Sequence, residues 1–187
     1  MRLLFMGPPG AGKGTQAQIL LDELKIIQIS TGDMLREAIH NKTEMGLKAK
    51  EYMNRGDLVP DAVVIGIVRD RISQDDAGNG YILDGFPRTL EQADALEKIM
   101  SEVGQKLDLA LNLSVPDDEL VRRLLERARI QKRPDDTKEV IVKRLHNYQE
   151  HTRPLLDYYK KKGILREIDG VGTLDQVKER MLLAVDA

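Results

Sequence analysis

Residues 7–15 read GPPGAGKGT, a G-x-x-x-x-G-K spacing. Its glycines let backbone N–H groups turn inward around an anion, and Lys13 adds a mobile positive charge for the outer phosphates. This is the chemistry of a nucleoside triphosphate cradle. The hydroxyl residue that commonly follows the lysine comes one place late, with Gly14 in its position and Thr15 after it. The loop is therefore a weak direct ligand for magnesium, which falls to phosphates, water and a carboxylate. Asp84, closing the apolar run Tyr81-Ile-Leu, offers such a carboxylate. Arg88, in GFPR directly after it, sets a guanidinium beside that acid, and Gln92 lies one helical turn further on. In STGDMLR, residues 30–36, Thr31 and Arg36 could touch a second ligand. Helix capping explains the same residues equally well. Arg123, Arg127, Arg129, Arg133 and Arg144 straddle Pro134. Arg123 and Arg127 stand at i, i+4 and repel unless an anion neutralises them. Guanidinium grips phosphate with two prongs, so the cluster reads as a phosphate clamp. His40, His146 and His151 lack metal-ligand spacing and read as surface or structural residues.

Three of these segments each follow an apolar run directly, and that order implies the elements that position them. Strands are predicted at 2–6, 26–29, 81–83, 109–115 and 164–168. Helices are predicted at 15–24, 31–55 with a break near 41–43, 61–73, 90–103, from 117 onward, and from 138 to about 162 with a kink at Pro154. A last helix is predicted at 174–184, and a charged break at 129–137. Strands separated by helices make a parallel sheet with right-handed crossovers and helices on both faces. Ligands then sit at the carboxyl ends of the strands, where loops 7–15, 30–36 and 84–88 converge.

Composition narrows the function. The chain has 187 residues, 41% hydrophobic and 32% charged, which suits one α/β domain with small insertions. Its 29 Lys and Arg nearly cancel 31 Asp and Glu, so a general nucleic-acid binder is not expected. Absence of cysteine excludes disulfides, thiolate catalysis and Cys-ligated zinc. No stretch approaches the ~20 apolar residues of a membrane span, and glycines interrupt the first apolar run too early for a signal peptide. The expectation is a soluble, cytoplasmic monomer.

Taken together, GPPGAGKGT, STGDMLR, GDLVPD, DGFPRTLEQ, LLERARIQKRPDD and VKRL resemble the adenylate kinases, in order and spacing, over essentially the whole chain. GKGT is that family's own form of the loop. The resemblance implies a P-loop NTPase fold with a five-stranded parallel sheet. The core would comprise residues 1–29, 60–127 and 138–187, with an AMP-binding insertion at 30–59 and a short, zinc-free lid at 128–137. It implies that Gly10, Ala11, Gly12, Lys13, Gly14 and Thr15 cradle ATP phosphates, Arg127 reaches ATP, Arg123 stacks on its adenine, and Gly172 meets that adenine by its backbone. Thr31, Arg36, the backbone of Asp57, Leu58 and Val59, then Gly85, Phe86, Pro87, Arg88 and Gln92 would form the AMP site. Arg133 and Arg144 would bridge the transferring phosphoryl group and AMP, with Lys13, Arg88 and Arg127 also catalytic. Asp84 would orient Mg2+ through water. The reaction implied is ATP plus AMP giving two ADP, without nucleic acid or membrane. A UMP/CMP kinase is the alternative within the fold, but those enzymes resemble this chain less at Thr31, where they tend to carry Ala, and near Gln92, where they tend to carry Asn. A GTP-binding switch is disfavoured, because the lone Asn-Lys, at 41–42, leads to Glu44 where guanine recognition needs Asp.

Overall fold

The computed structural model describes residues 1–131 and 137–186. Five strands, β1 (Arg2–Met6), β2 (Ile27–Ser30), β3 (Tyr81–Asp84), β4 (Leu109–Ser114) and β5 (Leu165–Asp169), form one sheet in the order β2-β3-β1-β4-β5. Every pairing is parallel. The chain leaves β1 toward the β2 edge, returns to β3, then crosses to β4. β1 is thus the switch point, and a crevice opens at its carboxyl end.

Alternation along β1 builds two cores. Leu3 and Phe5 face α1 (Lys13–Leu24), α6 (Asp117–Gln131) and α9 (Leu174–Asp186), together with Leu20, Leu120 and Met181. Leu4 and Met6 point the other way, toward α4 (Asp61–Ile72), α5 (Leu90–Glu102) and α8 (Pro154–Lys161), packing with Val68, Leu96 and Leu155. The strands are apolar on both faces because helices cover both.

Between β2 and α4 stand α2 (Thr31–His40) and α3 (Glu44–Arg55), separated where the sequence predicts the break. Thr43 caps α3 through a bond from Gly46 N, and Gly56 ends it at φ 73°. Residues 75–79 form a short 3-10 helix. Two differences from expectation matter near the site. The charged break begins later than residue 129, because α6 continues to Gln131; its Arg, Ala and Gln residues are good helix formers. The long helix after 138 is interrupted upstream of Pro154. α7 (Lys138–Asn147) passes into a π-turn at Tyr148–Thr152, in which Arg153 N reaches Tyr148 O, and α8 restarts at the proline. Proline has no N–H to donate, and the wider turn absorbs that loss.

Candidate active site

β1 delivers Gly7 into the crevice, and the chain turns through Gly10 at φ 87° and Gly12 at φ 96° before α1 begins. A side chain at Gly10 would meet Leu124 Cγ at 2.8 Å and Leu120 O at 3.0 Å, so the loop lies directly on α6. A Cβ at Gly14 would meet nothing within 4 Å, so that side of the loop faces open space. α1 has no side-chain cap, which leaves its first N–H groups directed at whatever occupies the loop. Lys13 Nζ folds back onto the carbonyls of Gly7 (2.7 Å) and Pro8 (3.0 Å). Its pKa is lowered to about 8, first by burial of the ammonium. Asp84 opposes that shift, while Arg88 and Arg127 add to it.

β3 ends in Asp84, level with Phe5 of β1 and Ser30 of β2. Gln28 Nε2 donates to Asp84 Oδ2 at 3.3 Å. Gly85 follows at φ 81°, where a Cβ would sit 2.9 Å from Thr31 Oγ1 and 3.1 Å from an Arg88 guanidinium nitrogen. Only glycine lets those two side chains approach. Phe86 and Pro87, joined by a cis peptide, are buried beneath the loop. Arg88 is fastened at three points: its Nε donates to Gly85 O (2.8 Å), its N–H to Gln92 Oε1 (2.7 Å), and its carbonyl accepts from Thr152 Oγ1 (2.9 Å). Its guanidinium opens onto the crevice, yet the surrounding walls desolvate it enough to lower its pKa. Arg144 and Arg36 lower it further, and Asp84 opposes them.

The two explanations of segment 30–36 divide between neighbours. Ser30 caps α2 through Asp33 N. Thr31 is buried and donates to Gly85 O at 2.9 Å, tying β2 to the loop after β3. Arg36 pairs with Asp33 one turn away. Val59 is buried. Asp57 accepts from Lys143 of α7 and from Arg55, which hold its carboxyl below the usual carboxylate range. Across the crevice, Arg123 donates to Ala11 O (3.3 Å) and Gly170 O (3.2 Å), spanning the phosphate loop and the turn after β5. Gly172 follows in that turn at φ 131°. Arg133 lies outside the described residues, as does half of the lid expected at 128–137.

Some residues that hold this arrangement together were not evident from the sequence. Glu119, at i−4, accepts from Arg123 Nε at 2.7 Å and also from Arg122. These bonds hold its carboxyl down at about 2, and the expected repulsion between Arg123 and Arg127 is partly neutralised within α6. The sequence carries that signal as an acid four residues before Arg123. Thr152 carried no local signal, and Asp61, which ends the GDLVPD stretch, gave no sign of its partner, because the partners lie 64 and 31 residues away. Among the described residues, no three His, Asp or Glu side chains group as a metal site. No helix there is long and apolar enough to cross a membrane.

A phosphate loop after β1, an acid ending β3 and arginines from α5's lead-in, α6 and α7 thus share one sheet edge. The family model described as adenylate kinase matches residues 5–164. The chain belongs to the adenylate kinase family. Its relatives named adenylate kinase include one from Leptospira biflexa, 57% identical over 184 residues, covering 98% of this chain and 99% of the relative. Another, from Thermobifida fusca, is 51% identical, covering 99% and 98%. A third, from Desulforamulus reducens, is 48% identical over 212 aligned positions, covering 99% and 100%. That alignment is longer than this chain, so this relative carries extra residues. This member of the adenylate kinase family is a nucleoside monophosphate kinase, moving a phosphoryl group between ATP and AMP. The UMP/CMP alternative gives way to it.

Proposed function

We propose that the two nucleotides meet above the carboxyl ends of β1 and β3. One observation carries this reading: Lys13 and Arg88, both desolvated, feel further cations, Arg88 and Arg127 around Lys13 and Arg144 and Arg36 around Arg88, with Asp84 the acid opposing them. Congested cations are costly without anions, and two nucleotides joined in transfer bring the needed negative charge. ATP phosphates would lie in the loop formed by Gly10 to Thr15, with Lys13 released from the Gly7 and Pro8 carbonyls to meet them. Arg123 and Gly172 would flank the ATP adenine, and Arg127 would reach its phosphates. AMP would take Thr31, Arg36, the backbone of 57–59, the Gly85–Arg88 loop and Gln92. Arg144, together with Arg133, would bridge donor and acceptor.

No side chain is needed as a nucleophile. The AMP phosphate oxygen attacks in line while the ADP oxygen leaves, and positioning with charge dispersal supplies the catalysis. Asp84, a single carboxylate beside Lys13, fits magnesium that arrives on ATP and is held through water. That ion would neutralise phosphate charge. The insertion at 30–59 would carry AMP and the segment 128–137 would cover ATP. All these groups come from one chain, which suits a monomer, and its charged nucleotide substrates suit the cytoplasm.

Diphosphate formation from ATP with AMP, CMP, UMP or GMP tests the reading. AMP is expected to exceed CMP and UMP by at least ~100-fold in kcat/KM, a gap of about 2.7 kcal/mol. Comparable use of CMP would move the site to pyrimidines.

A further inference from the structure

Gln92 is 2% exposed, and an amide so placed can in principle face its ligand either way round. The two ends are nearly identical in shape and opposite in hydrogen bonding. In this chain both ends are committed. Oε1 accepts the backbone N–H of Arg88 at 2.7 Å, and Nε2 donates to Asp61 Oδ1 at 2.7 Å. A backbone N–H only donates and an ionised carboxylate only accepts, so the partners themselves dictate which end is oxygen and which nitrogen. Asp61 is fixed in turn. It sits in the first turn of α4, its other oxygen accepts from Thr89 Oγ1 at 3.1 Å, and that hydroxyl caps α5 by accepting from Gln92 N.

We infer that Asp61 is a specificity-determining positioning residue that locks the Gln92 amide for a 6-aminopurine monophosphate and against a 6-oxopurine. This rests on the AMP site proposed above, with Gln92 meeting the base there. After Asp61 and Arg88 are served, Oε1 keeps one lone pair and Nε2 keeps one hydrogen. Adenine presents a 6-amino donor and an N1 acceptor, which complement that pair. Hypoxanthine and guanine present a 6-oxo acceptor and an N1–H donor, the inverse pattern. A free glutamine could rotate half a turn and accept either class. Here rotation would set oxygen against the Asp61 carboxylate and NH2 against the Arg88 N–H, leaving two buried mismatches. Selection against the oxo base therefore comes from the groups behind Gln92, which forbid the alternative.

The test compares AMP with inosine monophosphate, whose bases differ in the 6-substituent and the N1 proton. Asp61→Leu is expected to narrow the AMP-to-IMP ratio of kcat/KM by about tenfold or more, raising KM for AMP while KM for ATP stays within about twofold. Asp61→Asn, which can still offer Nε2 an acceptor, is expected to keep most of the preference. A general loosening of the fold would shift both substrates' KM and both bases together. Gln92→Leu separates this inference from its foundation. If Gln92→Leu narrows the ratio and Asp61→Leu, folded by circular dichroism, does not, the locking role is wrong. If Gln92→Leu leaves the ratio unchanged, the assignment of Gln92 to the base is wrong, and the inference falls with it. If Asp61→Leu does not fold, Asp61→Ala replaces it with the same expectation, and an unchanged AMP-to-IMP ratio in that variant overturns the role.

Discussion

Lys13 is the side chain whose protonation is most exposed to the state of the site. Its ammonium rests on two carbonyls, and burial lowers its pKa from 10.5 to about 8. Triphosphate oxygens would raise it again, since nearby opposite charge favours the protonated form. kcat/KM for ATP, which reports the free enzyme, is thus expected to fall as pH rises through about 8, while kcat at saturating nucleotides holds to higher pH. Stability has the opposite sign in that window. Between about 8 and 10.5 the unfolded lysine binds a proton that the folded one has lost, so this group makes unfolding harder as pH rises. Lys13→Met is expected to cut kcat by about 10²–10³ with the circular dichroism spectrum unchanged. A mutant with near-normal turnover would place the transferring phosphates elsewhere. At this scale the sequence reveals the groups whose spacing is local, namely Lys13, Asp84 and Arg88. It hides the groups that only folding brings together. Asp61 and Thr152 look like ordinary polar residues until β3 and the π-turn bring Gln92 and Arg88 to them.

Elements were legible where an apolar run closes at a glycine or an acid, as at β1 and β3, and where apolar spacing is helical, as at α5. Two signals were misjudged in extent. α6 outlasts its charge density because Arg and Gln propagate helices well, and Pro154 acts through the turn before it. That π-turn has a use: it places the Thr152 hydroxyl on the Arg88 carbonyl. Composition also gave no warning of how tightly α2 and α3 pack. A Cβ at Gly46 would lie 2.1 Å from Ala38 O and 2.2 Å from its carbonyl carbon. These are backbone atoms and cannot rotate aside. Gly46→Ala must therefore separate the two helices, despite alanine's better helix propensity. The expected cost is about 1–3 kcal/mol by denaturant midpoint, with KM for AMP raised more than KM for ATP. A stabilised Gly46→Ala would mean that α2 and α3 do not pack this closely in solution.

At the scale of the molecule, the insertion built from α2 and α3 is tethered at both ends. Thr31 holds its start to Gly85. At its far end, Asn147 Nδ2 donates to Gly56 O at 2.9 Å and Lys143 pairs with Asp57, so that end is fastened to α7. A body anchored at both ends can swing about the line joining its anchors, sliding the packing that Leu35 and Ala49 make with the core. Its Arg36 meets the field of Arg88, which also feels Arg144. Like charge holds such a cleft open, and bound phosphates reverse the balance; closure then follows from tighter binding to the closed form. Closure also keeps water from taking the phosphoryl group. The chain has no cysteine, so Lys48→Cys on α3 and Lys161→Cys on α8 can be spin-labelled as a unique pair. Two adenosines joined through five phosphates should shorten that distance by several ångströms, an order-of-magnitude figure for loop and domain closure. ATP alone should shorten it less, because it leaves the AMP side without an anion. Identical distance distributions with and without the joined ligand would show that the insertion does not move, leaving water to be excluded by some other part of the molecule.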